Sequence, residues 1–120
     1  MRIFELTESR NDREHVRLRR HFMTKLAKMG LVRSVEGVSE NVSQGGALIK
    51  TTSWHVFELH DRAVVTFYLP PRYSGQDRTI CLQGIAVITR LEQKKQCLAV
   101  RFTKRFKQFQ RVDGSELLAR

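Results

Sequence analysis

The sequence predicts an all-β fold: a six-stranded antiparallel β-barrel with a flexible N-terminal arm and a short C-terminal helix. Three observations predict it. Over residues 18–103, apolar, β-branched and aromatic runs of strand length recur about six times, separated by short polar or glycine-containing turns. No long stretch between them carries the three- and four-residue apolar steps of a helix, which argues against an α/β arrangement. The chain has 120 residues, 41% of them apolar, which suits one core in one domain.

The elements follow in order. Residues 1–17 are polar and mixed in charge, without an apolar period, and read as a mobile arm. Residues 18–29 (LRRHFMTKLAKM) alternate basic and apolar side chains as a first strand, and Gly30 turns the chain back into 31–43 (LVRSVEGVSENVS), where Gly37 marks a bulge or bend. Gly45 and Gly46 open a short strand, ALIKT, and a loop holding Trp54 and Phe57 leads to AVVTFYL, which stops at Pro70 and Pro71. The loop RYSGQDR precedes TICLQGIAVITRLE, the longest strand candidate, with Gly84 marking a bend or close approach. The polar turn EQKKQ returns the chain into CLAVRFT. Phe102 at its end and Phe106, Phe109 and Val112 beyond it fall at helical spacing, so 104–120 is assigned to a helix that closes the barrel and a tail. The barrel proper is 18–103.

The composition narrows the partners. Lys and Arg number 22 against 12 acids, a net charge of +10, and such a field attracts phosphates on a nucleotide, a nucleic acid or a membrane face. Residues 94–111 hold seven Lys or Arg and no acid, a basic face that solvent alone would also satisfy. No apolar run approaches the roughly 18–20 residues that span a bilayer, and the N-terminus lacks the apolar stretch of an export signal. Cys81 and Cys97 sit in apolar strand-like runs, outside any CxxC spacing, as two reduced thiols. A cytoplasmic location is therefore expected.

Signs of catalysis are scarce. His15, His21, His55 and His60 are scattered, with no HExxH or zinc-type Cys/His spacing. His55, Glu58, His60 and Asp61 share a loop, but solvated loop histidines explain them better than a metal does. No GxSxG, GxxxxGK[ST] or GxGxxG is present. A binding module is expected rather than an enzyme, with no metal or cofactor.

Two local patterns carry the functional expectation. The first is Arg13-x-x-x-Arg17, where arm meets first strand. Its spacing alone is weak, since Arg101 and Arg105 repeat it. The second is Asn41-x-Ser43-x-x-Gly46 (NVSQGG), which a tight turn between strands would also favour, because Asn and Ser bond their own backbone and Gly accepts positive φ. Taken in order with GIAVITR and the closing AVRF, they resemble the PilZ domain over about residues 12–106.

That resemblance implies a bacterial six-stranded barrel with a helix that receives the second messenger cyclic di-GMP. Arg13, Arg17, Asn41, Ser43 and Gly46 would be its ligand residues. The chemistry is compatible, because arginine grips phosphate, pairs with guanine O6 and N7 and stacks on bases. Asn41 and Ser43 offer hydrogen bonds, and Gly46 permits close backbone approach. Two positions depart from the family pattern: Asn41 stands where Asp is commoner, and Asp12 where many members carry another arginine. Asn offers one carbonyl acceptor where Asp offers two oxygens, so a weaker grip on guanine is expected. The implied role is a stand-alone adaptor relaying the signal to a downstream protein partner of the motility, exopolysaccharide or virulence machinery. Two alternatives stay open: a PilZ-like interaction module without ligand, and a basic barrel binding nucleic acid. The second is disfavoured because most Phe residues look buried and leave no stacking platform.

Overall fold

A computed structural model describes residues 21–31, 33–71 and 77–112. The expected arm, with Arg13 and Arg17, the loop residues 72–76 and the end of the tail lie outside them. Seven strands form one antiparallel sheet: β1 (Met23–Lys28), β2 (Ser34–Val42), β3 (Gly46–Lys50), β4 (Arg62–Leu69), β5 (Ile80–Glu92), β6 (Cys97–Phe102) and β7 (Gln110–Val112). Six of them close a barrel in the order β4-β1-β2-β3-β6-β5, because β4 also pairs with β5. These six strands match the runs read from the sequence. Closure leaves none of the six with two bare edges.

Alternation builds the core. Along β1, Thr24 and Leu26 point in while Met23 is exposed, and along β6 the buried Val100 and Phe102 flank the exposed Arg101. At the centre lies Phe67, whose ring contacts Phe22, Phe102, Phe106 and Phe109 at centroid separations of 5.2–6.4 Å. The expected bend at Gly37 falls elsewhere: the β2–β3 register shifts between Ser39 and Asn41. There the fully buried Ser39 hydroxyl accepts the Phe22 N–H at 2.8 Å, and the Ser39 N–H donates to the Phe22 carbonyl at 3.0 Å. The bulge thus stitches the chain entering β1 onto β2.

The helical assignment of 104–120 does not hold over its described part, 104–112. Phe102 ends β6, Phe106–Gln108 form a single 3₁₀ turn, and both bounding residues, Arg105 and Phe109, are extended. The chain then continues as β7, pairing Cys81 with Val112 and Gln83 with Gln110. The reason is the length of β5. Its thirteen residues pair with β6 only from Ala86 onward, so its first half has a bare edge that β7 covers. The helical spacing of the three phenylalanines arises because each ring enters the core separately, Phe106 and Phe109 stacking at 4.9 Å. Gly84 makes room for this: any Cβ there would intrude on the Phe109 ring.

Candidate functional site

The turn between β2 and β3 is built from its own polar side chain. Ser43 is buried, and its hydroxyl accepts the Gly45 and Gly46 amides, each at 3.2 Å. The Ser43 N–H and hydroxyl both face the Gly46 carbonyl, at 2.8 and 3.2 Å. Gly46 is demanded by the neighbouring strand: a Cβ there would strike the Val100 carbonyl of β6. The structure therefore gives Ser43 and Gly46 architectural work in addition to any contact with a ligand. Asn41, at the bulge and opposite Leu48, is half-buried with its side chain at the surface beside them.

Three bonds fasten the segment after Val100 to this turn. The Phe102 N–H donates to the Gly45 carbonyl at 2.8 Å, and the Phe106 N–H to the Gln44 carbonyl at 2.9 Å. Arg105 adds a longer contact of 3.4 Å from its guanidinium to Gln44 Oε1.

Between the turn and this segment runs a groove of about 700 Å³, within the range of small-molecule sites. Asn41, Ser43 and Gly46 line it together. Arg90, Arg101, Lys104 and Arg105 line it too, and no acid does among the described residues. Arg90 shares its charge with Glu92 at 3.3 Å, whereas no described carboxylate pairs with Arg101, Lys104 or Arg105. Lys104 and Arg105 fall in the part of the basic run 94–111 assigned to a solvated helix face, whereas Arg101 belongs to the strand CLAVRFT and Arg90 lies before the run. The strand alternation Val100-Arg101-Phe102 sends Arg101 outward, but only the fold places it beside the turn. Arg13 and Arg17 lie outside the described residues.

A second recess adjoins the groove through Asn41 and Leu48, and His21, Glu40, Lys50, Lys94 and Cys97 border it. His21 Nδ1 bonds to the Ser39 carbonyl at 3.0 Å. Burial, reinforced by Glu92 at 3.6 Å, pushes the Cys97 thiol up, so it stays protonated and a poor nucleophile at neutral pH. Among the described residues no group of three His, Cys, Asp or Glu side chains is placed to hold a metal, including the His55–His60 loop. No helix among them is long and apolar enough to cross a membrane.

The polar turn of this closed small barrel thus opens onto a cation-lined groove. Comparison with solved structures finds the same fold elsewhere. The structure of the Bacillus subtilis inhibitor of motility MotI/DgrA superposes with a TM-score of 0.60 at 15% identity, covering 92% of this chain. The chain spans about half of that protein, 48% of its length. The PilZ domain with c-di-GMP of YcgR from Escherichia coli aligns at 16% identity over 78% of this chain and 79% of that one, with a TM-score of 0.46. No family model and no curated protein matches the sequence.

Proposed function

We propose that this domain binds cyclic di-GMP in the groove beside the 41–46 turn, as a receptor rather than a catalyst. The observation that carries this is the convergence of Asn41, Ser43 and Gly46 with four cations and no acid on one groove of a PilZ-like barrel. A ligand with two phosphates and two guanines matches both halves of such a lining, since guanidinium groups take phosphate and guanine edges and amides take base edges.

Arg13 and Arg17 complete the site by folding over the ligand. Chain connectivity supports their reach. His21 borders the recess that shares Asn41 with the groove, and the four residues from His21 back to Arg17 span at most about 14 Å. Ordering of the arm on binding would then re-present the N-terminal face to a partner protein, and the coupling equals the ligand's differential affinity for the two arrangements. A motility protein is one candidate client, in keeping with the motility role of MotI/DgrA; exopolysaccharide and virulence machinery are others.

Titration calorimetry with cyclic di-GMP, GMP and a single-stranded oligonucleotide tests this. Micromolar or tighter binding of the dinucleotide alone is expected, weakened roughly 10- to 100-fold in Arg17→Ala. Salt-sensitive binding of the oligonucleotide with none of the dinucleotide would overturn it.

A further inference from the structure

The sequence contains a second Arg-x-x-x-Arg pair, Arg101 and Arg105, and the fold puts it on the wall of the groove. We propose that Arg101 and Arg105 form a preorganised clamp for a phosphate-bearing anion, set by the barrel itself and independent of the N-terminal arm. The inference rests on the groove being a ligand site and adds residues that the sequence pattern does not assign.

The case is one of anchoring. Arg101 stands opposite Gly46 in the β3–β6 ladder and opposite Val87 in the β5–β6 ladder, so its backbone is held on both sides. Its neighbours Val100 and Phe102 are buried, which fixes its side chain on the outer face. Arg105 is bracketed in the same way. The Thr103 N–H and hydroxyl both reach the Ile85 carbonyl, at 3.0 and 3.1 Å, and the Phe106 N–H binds the Gln44 carbonyl. Phe106 is fully buried against Phe102 at 5.6 Å. Each arginine therefore projects from a backbone already bonded to the turn carrying Asn41 and Ser43.

Preorganisation matters because less backbone freedom is lost when the anion arrives. The paired charges also lie unneutralised by described carboxylates, so an anion entering the groove meets a local excess of positive charge. Arg90 and Lys104 widen that field.

The test uses the whole chain and two probes, cyclic di-GMP and inorganic pyrophosphate, at fixed ionic strength. R101Q/R105Q is compared with R33Q/R62Q, which removes the same charge from exposed sites outside the groove. The clamp predicts that R101Q/R105Q weakens both probes roughly 10- to 100-fold more than the control does. It also predicts that both probes shift the Gly45 and Gly46 amide resonances of the wild type. If R101Q/R105Q folds poorly, R101K/R105K keeps the charges, loses the forked geometry, and reads the same comparison with a smaller loss. Cyclic di-GMP binding that matches in R101Q/R105Q and the control overturns the clamp and leaves the proposed function standing. Pyrophosphate binding that depends on the pair, without dinucleotide binding, supports the clamp and removes cyclic di-GMP as its ligand. Failure of both probes to bind the wild type overturns both.

Discussion

Gly46→Ala separates the architectural role of the turn from its ligand role. The added methyl would strike the Val100 carbonyl, a backbone atom that no rotamer change can move. Relief requires β3 and β6 to separate at the Gly46–Arg101 pair, next to the bond from the Phe102 N–H to the Gly45 carbonyl. Overpacking of this kind costs about 1–3 kcal/mol, and weakening one ladder bond adds about 0.5–1.5. A total of roughly 2–4 kcal/mol follows. With an unfolding entropy of about 2.1 cal/mol/K per residue, 120 residues give about 0.25 kcal/mol/K, so Tm should fall by roughly 8–16 °C. Calorimetric melting of the unliganded variant reads this directly. A Gly46→Ala protein that melts within about 2 °C of the wild type yet no longer binds would refute the reasoning, since the glycine would then serve the ligand and not the strand pair.

Three further outcomes follow from the same geometry. Gly84→Ala should cost roughly 2–3 kcal/mol in urea unfolding by displacing Phe109, but under about 0.5 kcal/mol when introduced into Phe109→Ala; equal costs in both backgrounds would break the assigned contact. The Asp61 carboxyl is held below its usual 3.8 chiefly by the Glu58 backbone N–H at 2.8 Å, with Lys28 at 3.2 Å assisting against partial burial. Its contribution is complete above the ordinary carboxylate pKa and is lost as pH falls through the depressed folded value, so between pH 6 and 2.5 the wild type should lose Tm more steeply than Asp61→Asn. Cys97, buried with its thiol pushed up, and the buried Cys81 should label with an aromatic disulfide at least about tenfold slower than free cysteine at pH 7.5, and both should label at once in urea; fast native labelling would contradict the burial.

Much of the barrel was legible because period-two alternation is a strong local signal. AVVTFYL and TICLQGIAVITRLE became β4 and β5 almost to the residue, and Pro70 ended β4 as a residue without an N–H should. Two features were not legible. Phe102, Phe106 and Phe109 sit at helical spacing, and only the bare edge of the first half of β5, a non-local fact, makes the chain a 3₁₀ turn and a strand there instead. The bulge at Ser39 to Asn41 likewise depends on bonds to Phe22, which is 17 residues from Ser39 in sequence. At the site, Asn41, Ser43 and Gly46 were readable as a turn motif because their contacts are local. Arg101 and Arg105 were not, because their position beside that turn comes from the β3–β6 pairing, and their spacing in sequence carries no such information.

The division of labour in the groove has a consequence for telling a receptor from a barrel that has lost its ligand. Ser43 closes the turn and Gly46 admits β6, so both are required by the fold even where nothing binds. Their presence alone is weak support for a ligand. Arg101, Lys104 and Arg105 are different: they are exposed, no described carboxylate pairs with them, and the core does not use their side chains. Like charges held together on one wall repel one another and lower stability slightly in the empty state. Selection for folding alone would relax that cluster, for example by placing an acid among them, whereas a bound anion turns the repulsion into attraction. The cations, more than the turn motif, are therefore the part of this groove that speaks for a phosphate-bearing ligand.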